Sequence, residues 1–257
     1  RMNLFLHGAR DFKVVQGDTL RNPLFLHRGQ LQTFDNVIAN PPFSLKNWGA
    51  GPFESDIYGR NIWGTPSESS ADFAWLQHMV KSMDPKNGKC AVILPQGVLF
   101  HGGKEAEMRK LMVESDKLEA IITFVSGIFY STGVSACALI LNNNKPAEHK
   151  NKVCLIDGSE IYTAQRAQNI MTDDDVDEVY KLYQNYEDVI ERVKVVTIDD
   201  IREKDYTLAV NTYIEKKKQE TVAPEVVRRE FYETIEEVKE NENRLMMLLK
   251  EGGYIDE

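Results

Sequence analysis

An α/β fold is predicted for this chain, and three observations predict it. Apolar runs of strand length recur at 34–39, 89–94, 118–125 and 135–141, and stretches with helical spacing separate the earlier of them. This strand-helix alternation holds from residue 11 to residue 141 and is the pattern of a layered sheet-and-helix domain. Two predicted strands end in polar residues, Asp18 after one and Asn40 after the next, and α/β sheets carry their ligands at the carboxyl ends of strands.

The elements follow in order. Arg1–His7 reads as the last turns of a helix, with apolar Met2, Leu4, Phe5 and Leu6 and a stop at Gly8. A helix end at residue 1 implies chain upstream of it. Phe12–Val15 is predicted as a short strand running into Gly17-Asp18-Thr19-Leu20, and 21–33 as a loop or helical turn. Phe34–Ala39 is a strand that must leave its sheet at Asn40, because Pro41 and Pro42 cannot continue the pairing. Residues 44–69, rich in Gly, Ser, Pro, Trp and Tyr without a period, form a long loop, and Gly49-Ala50-Gly51 reads as flexible. Phe73, Leu76, Met79, Val80 and Met83 space a helix over 70–83, in which Trp75 reads as core packing. A strand ends at Pro95, and a helix follows over 104–115, with Lys104 and Arg109 on a solvated face. Strands at 118–125 and 135–141 are expected to pair, and another lies at 153–156. Thr172 and three aspartates open a helix expected to reach about Val189, and Lys194–Ile198 is strand-like. Pro224–Lys250 is a long charged helix whose stripe of Phe231, Ile235, Val238, Leu245 and Leu249 suits either a partner helix or its own domain. The division expected is 1–158, 159–215 and 216–257, the last a charged helical tail for subunit contact.

Composition narrows the function. Of 257 residues, 42% are hydrophobic, enough for a core, and no run approaches the length of a membrane span. The opening residues lack the pattern of a secretory leader, so a cytoplasmic protein without membrane contact is expected. Cys90, Cys137 and Cys154 are odd in number and far apart, with neither zinc nor disulfide spacing, and the five histidines show no ligand pattern. The net charge of -9 argues against this chain alone gripping a nucleic-acid backbone; a partner must supply positive charge.

The chemistry concentrates in Asn40-Pro41-Pro42-Phe43. An aromatic amine is a poor nucleophile because its lone pair is delocalised into the ring. Two acceptors on its two N–H bonds draw the nitrogen toward tetrahedral geometry. Asn40 offers a side-chain carbonyl and Pro41 a backbone carbonyl held by a fixed φ. Phe43 offers a π face for a base swung out of its stack. Asn-Pro strings are common turn starters. Here a buried strand precedes the string and a long aromatic loop follows, which weighs toward function.

The run Phe34-Asp35-Asn36-Val37-Ile38-Ala39-Asn40-Pro41-Pro42-Phe43-Ser44 resembles the target-base motif of amino-methyltransferases, in the form typical of type I restriction-modification subunits that methylate adenine N6 in DNA. Gly17-Asp18-Thr19-Leu20 resembles that family's preceding acidic motif, which implies that Asp18 and Thr19 bind S-adenosylmethionine, with the Asp facing its adenine. Asp72-Phe73-Ala74-Trp75 resembles the helix lining the methyl-donor pocket, which implies cofactor roles for Asp72 and Phe73. Gly88–Pro95 is similar to the family's next strand. Ile128–Val134 resembles the loop between its last two strands, which implies that Phe129 or Tyr130 flanks the target base. The resemblance covers about residues 1–215. It implies DNA, a DNA-specificity subunit and a restriction subunit as partners. Similar loops occur in enzymes that methylate protein glutamine or RNA, and a truncated assembly module is a third reading.

The family's glycine-rich cofactor turn has no counterpart here. The fold expected is therefore a Rossmann-like S-adenosylmethionine-dependent methyltransferase sheet, incomplete at its N-terminal half, with a C-terminal helical extension. The chain alone is expected to bind the cofactor weakly and to be inactive. The strand at 12–15 would lack its neighbour and be mobile, re-paired or covered by self-association.

Overall fold

Six apolar segments pair into one mixed sheet: β1 (Asn36–Ala39), β2 (Lys89–Pro95), β3 (Leu118–Phe124), β4 (Ala136–Asn142), β5 (Lys152–Gly158) and β6 (Val193–Thr197). Their order is β6-β5-β3-β4-β2-β1. The computed structural model describes residues 1–129, 133–165, 168–216 and 224–254. Residues Arg1–Glu215 form one compact unit and Lys216–Glu257 a second.

β1 runs parallel to β2 with Asn36 beside Lys89 and Ala39 beside Val92. β4 lies antiparallel between β2 and β3, and β5 is parallel to β3. The carboxyl ends of β1, β2, β3 and β5 therefore share one edge of the sheet, where β4 begins. β6 closes the far side antiparallel to β5, so the 159–215 segment contributes a strand to this sheet.

The helices are α1 (Met2–Leu6), α2 (Ala50–Glu54), α3 (Asp72–Lys81), α4 (Lys104–Glu114), α5 (Asp173–Asn185), α6 (Ile198–Glu203) and α7 (Pro224–Glu251). On one sheet face, Phe73, Leu76, Met108 and Met112 of α3 and α4 pack against Val92, Leu94, Leu139 and Leu155. Burying each such side chain contributes roughly 1.5–3 kcal/mol. On the other face, Val179 of α5 and Tyr186 cover Ala120, Ile122, Cys154 and Ile156. That cover does not reach β1, where Ile38 is 81% exposed.

Several expectations change. Phe12–Val15 is not a strand, since a strand needs a partner ladder and β1 bonds only to β2 among the described residues. The stretch 21–33 holds a two-residue hairpin, Leu26–His27 with Gln30–Leu31. Gly49-Ala50-Gly51 is not simply flexible: Gly49, at φ 99°, precedes α2, whose Phe53 packs on Trp48 in a small core with Leu20. Arg109 is not on a solvated face. It is 3% exposed and donates to the carbonyls of Val98, His101 and Tyr206. Thr172 and Asp175 form the capping box of α5, which stops short of Val189 because Tyr186 turns left-handed at φ 52°.

In the second unit, α7 carries its apolar stripe with Phe231, Val238 and Leu245 exposed. Among the described residues, no helix is long and apolar enough to cross a membrane.

Candidate active site

Asn40 stands where β1 ends, at the shared edge of strand termini. Its side chain is exposed while Pro41 behind it is buried, so the turn is anchored and its polar group faces out. Among the described residues, neither the Asn40 amide nor the Pro41 carbonyl has a protein hydrogen-bond partner. An exposed asparagine thus stands at a rigid turn, with a carbonyl beside it that is unpaired among the described residues.

Phe43 is half-buried and meets Phe129 edge to face, with centroids 6.2 Å apart at 79°. Phe129 in turn meets Phe124, at the end of β3, at 6.3 Å and 82°. The fold thus joins the two segments that sequence placed at the target base, the loop after β1 and the loop after β3. Asn169 and Gln168 donate to the carbonyls of Ser126 and Ile128 and tie the second loop down. Tyr130 lies outside the described residues.

Ser44, the next residue, adopts a left-handed φ of 48°. That conformation is costly for a residue with a Cβ. Asp72 holds it there: its carboxylate accepts the Ser44 N–H at 2.8 Å and the Ser44 hydroxyl at 3.3 Å, and the Ser70 hydroxyl at 3.0 Å. Asp72 is 3% exposed at the first turn of α3, where the helix dipole favours its charge. Its bonded neighbour here is the loop after β1. Phe73, at 1% exposure, is packed into the core.

Beyond Ser44 opens a cleft of about 570 Å³ whose walls include Asp72, Gln96, His101 and Val134. Gln96 follows β2 directly and donates to the carbonyls of Phe124 and Ala136, bracing the loop between β3 and β4. Sequence reading passed over Gln96, although a polar residue just beyond a strand's carboxyl end was the available signal.

The Asp18 turn lies elsewhere. One Asp18 oxygen accepts the N–H groups of Leu20 and Arg21, and the other faces Arg21 at 3.8 Å. Thr19 lines a mostly apolar cavity of about 150 Å³ with Gly17, Leu24, Phe34, Val37 and His78. Burial and the Arg60 charge lower the His78 pKa to about 4, so its ring is neutral.

A mixed α/β sheet with Asn-Pro-Pro-Phe at the carboxyl end of its edge strand has the arrangement of the amino-methyltransferase class. The chain belongs to the N-6 DNA methylase family, whose model matches residues 1–222. It is 34% identical over its whole length to the type I restriction enzyme MjaVII methylase subunit of Methanocaldococcus jannaschii, spanning 44% of that protein. It is 30% identical to the HindI methylase subunit of Haemophilus influenzae, with 85% of this chain matched to 49% of that one. The crystal structure of a type I restriction-modification methyltransferase subunit from Streptococcus thermophilus superposes with a TM-score of 0.76 at 30% identity, over 83% of this chain and 45% of that chain. The chain therefore spans less than half the length of these relatives. The family expected from the motifs is the family found.

Proposed function

We propose that this chain forms the target-base side of a DNA adenine-N6 methyltransferase that uses S-adenosylmethionine within a type I restriction-modification complex. Its partners in this reading are DNA, a DNA-specificity subunit and a restriction subunit, and its place is the cytoplasm. The observation that carries the reading is the exposed Asn40 amide, with the Pro41 carbonyl beside it unpaired among the described residues, at a strand end next to the Phe43–Phe129 pair.

In this reading the Asn40 side-chain oxygen holds one amine proton and the Pro41 carbonyl the other. The fixed proline φ keeps both oxygens in place when the base arrives. Phe43 stacks on the swung-out base and Phe129 limits its tilt. Proximity and alignment supply most of the rate. The Asp18 turn fits the adenosine end of the cofactor. One carboxylate oxygen is taken up by backbone amides, the other faces Arg21 at the surface, and the cavity beside Thr19 has apolar walls suited to a purine face. When bound, S-adenosylmethionine supplies the activated methyl group. Asp72 acts from the side, by holding Ser44 and through it the target loop.

The test is transfer of a labelled methyl group by the assembled methyltransferase containing this chain. Unmethylated DNA is expected to accept label at adenine N6, while glutamine-bearing peptides and RNA do not. Label appearing in peptide or RNA but not in DNA overturns the reading.

A further inference from the structure

Arg60 lies in the long loop after the target motif, yet it is 2% exposed. Four of its five N–H groups meet protein oxygens and the fifth faces a histidine ring. The Nε and Nη2 groups donate to Asp56 at 2.9 and 2.6 Å, and Nη2 also donates to the Leu20 carbonyl at 2.8 Å. Nη1 donates to the Thr19 carbonyl at 3.0 Å and faces His78 Nδ1 at 3.4 Å. The neutral His78 ring can accept that bond.

We infer that Arg60 is a positioning residue for the cofactor turn, fixing the two carbonyls that follow Asp18 and thereby the direction of the Asp18 carboxylate. This rests on the reading that Gly17–Leu20 holds the adenosine end of S-adenosylmethionine. A buried ion pair seldom stabilises a fold more than apolar packing would, so the geometry it imposes is the better account of this one. Asp56 offsets the buried charge, and its pKa stays below the ordinary value despite burial because Arg60 bonds to it. The remaining donors are spent on consecutive backbone carbonyls, a fork that the guanidinium plane matches and a lysine ammonium does not.

The clasp runs both ways. Arg21, just past the turn, donates Nε to the Trp48 carbonyl at 3.2 Å and Nη2 to the Asn47 carbonyl. Leu20 is buried between these bonds against Trp48 and Phe53. The chain leaving Phe43 and the turn carrying Asp18 are thereby locked as one body, so the cofactor turn is set by residues on the target-base loop.

The experiment measures S-adenosylmethionine binding by isothermal titration, and steady-state kinetics, of the assembled methyltransferase bearing Arg60→Ala, Arg60→Lys or Asp18→Ala, with Kd expected to move as KM does. Arg60→Ala is expected to raise KM for S-adenosylmethionine by about tenfold or more, with kcat at saturation within about threefold. Arg60→Lys keeps the charge facing Asp56 and is expected to recover part of the loss. It is also the variant read if Arg60→Ala does not assemble. An unchanged KM in the Arg60 variants with a raised KM in Asp18→Ala overturns the role of Arg60 alone. An unchanged KM in Asp18→Ala overturns the cofactor reading of the turn, and the inference with it.

Discussion

Asp72 and Ser44, 28 residues apart in sequence, are joined by a 2.8 Å bond from the Ser44 N–H to the Asp72 carboxylate. This bond fastens the exit of the Asn-Pro-Pro-Phe turn to the first residue of α3. It turns a loop residue with an unfavourable φ of 48° into a fixed point one residue beyond Phe43.

Asp72→Ala should therefore slow methyl transfer by about 10- to 100-fold, the usual effect of misplacing a reacting group by an ångström. The KM for S-adenosylmethionine should change little. Adding Ser44→Gly, which tolerates the left-handed φ, should restore part of the lost thermal stability. A large rise in cofactor KM with an unchanged kcat would instead make Asp72 a cofactor residue.

Phe43→Ala should weaken binding of target DNA by roughly 1–3 kcal/mol, the usual contribution of base–aromatic stacking. The loss should be seen by titrating duplexes with the target base unpaired. Phe129→Ala should have a smaller effect, since Phe129 also packs on Phe124. Equal affinity for wild type and Phe43→Ala would show that Phe43 only packs inward.

Arg109→Met should destabilise the fold by about 3 kcal/mol, because three carbonyls lose their buried donor. Denaturant unfolding measures this directly. A change below about 0.5 kcal/mol, typical of a surface site, would contradict the buried role.

His78 gives a pH prediction. Its pKa falls from 6.5 to about 4 on folding, so between those values the unfolded chain takes up a proton that the folded chain does not. Stability from this group is complete above pH 6.5, is lost as pH falls toward 4, and changes no further below that. The slope contributed is at most about 1.4 kcal/mol per pH unit. His78→Gln should flatten melting temperature against pH in that window. Coincident slopes for the two proteins would contradict the assignment.

Much of this architecture could be read from sequence because one kind of signal dominated. The runs at Ala91–Leu94 and Ile121–Phe124 are buried on both faces or nearly so, and apolar run length alone predicts such strands. The end of β1 at Ala39 was legible because two consecutive prolines cannot continue a strand's pairing. Long-range geometry was not legible. No local pattern tells that Arg109 turns inward to the Tyr206 carbonyl, or that Arg60 reaches back to Thr19 and Leu20. Phe12–Val15 has strand composition but no ladder, because pairing depends on a neighbour and not on the segment itself. Helix α6 had a local signal that went unread, the capping box of Thr197 and Asp200.

The central claim is that a rigid turn at the end of β1 presents the Asn40 oxygen to an exocyclic amine. Single-turnover methyl transfer by the assembled methyltransferase with Asn40→Ala tests it most directly. The account predicts a rate lower by about 100-fold or more, the scale for removing one preorganised hydrogen-bond partner, with S-adenosylmethionine affinity within about twofold of wild type. Wild-type rates from the Asn40→Ala enzyme would contradict it.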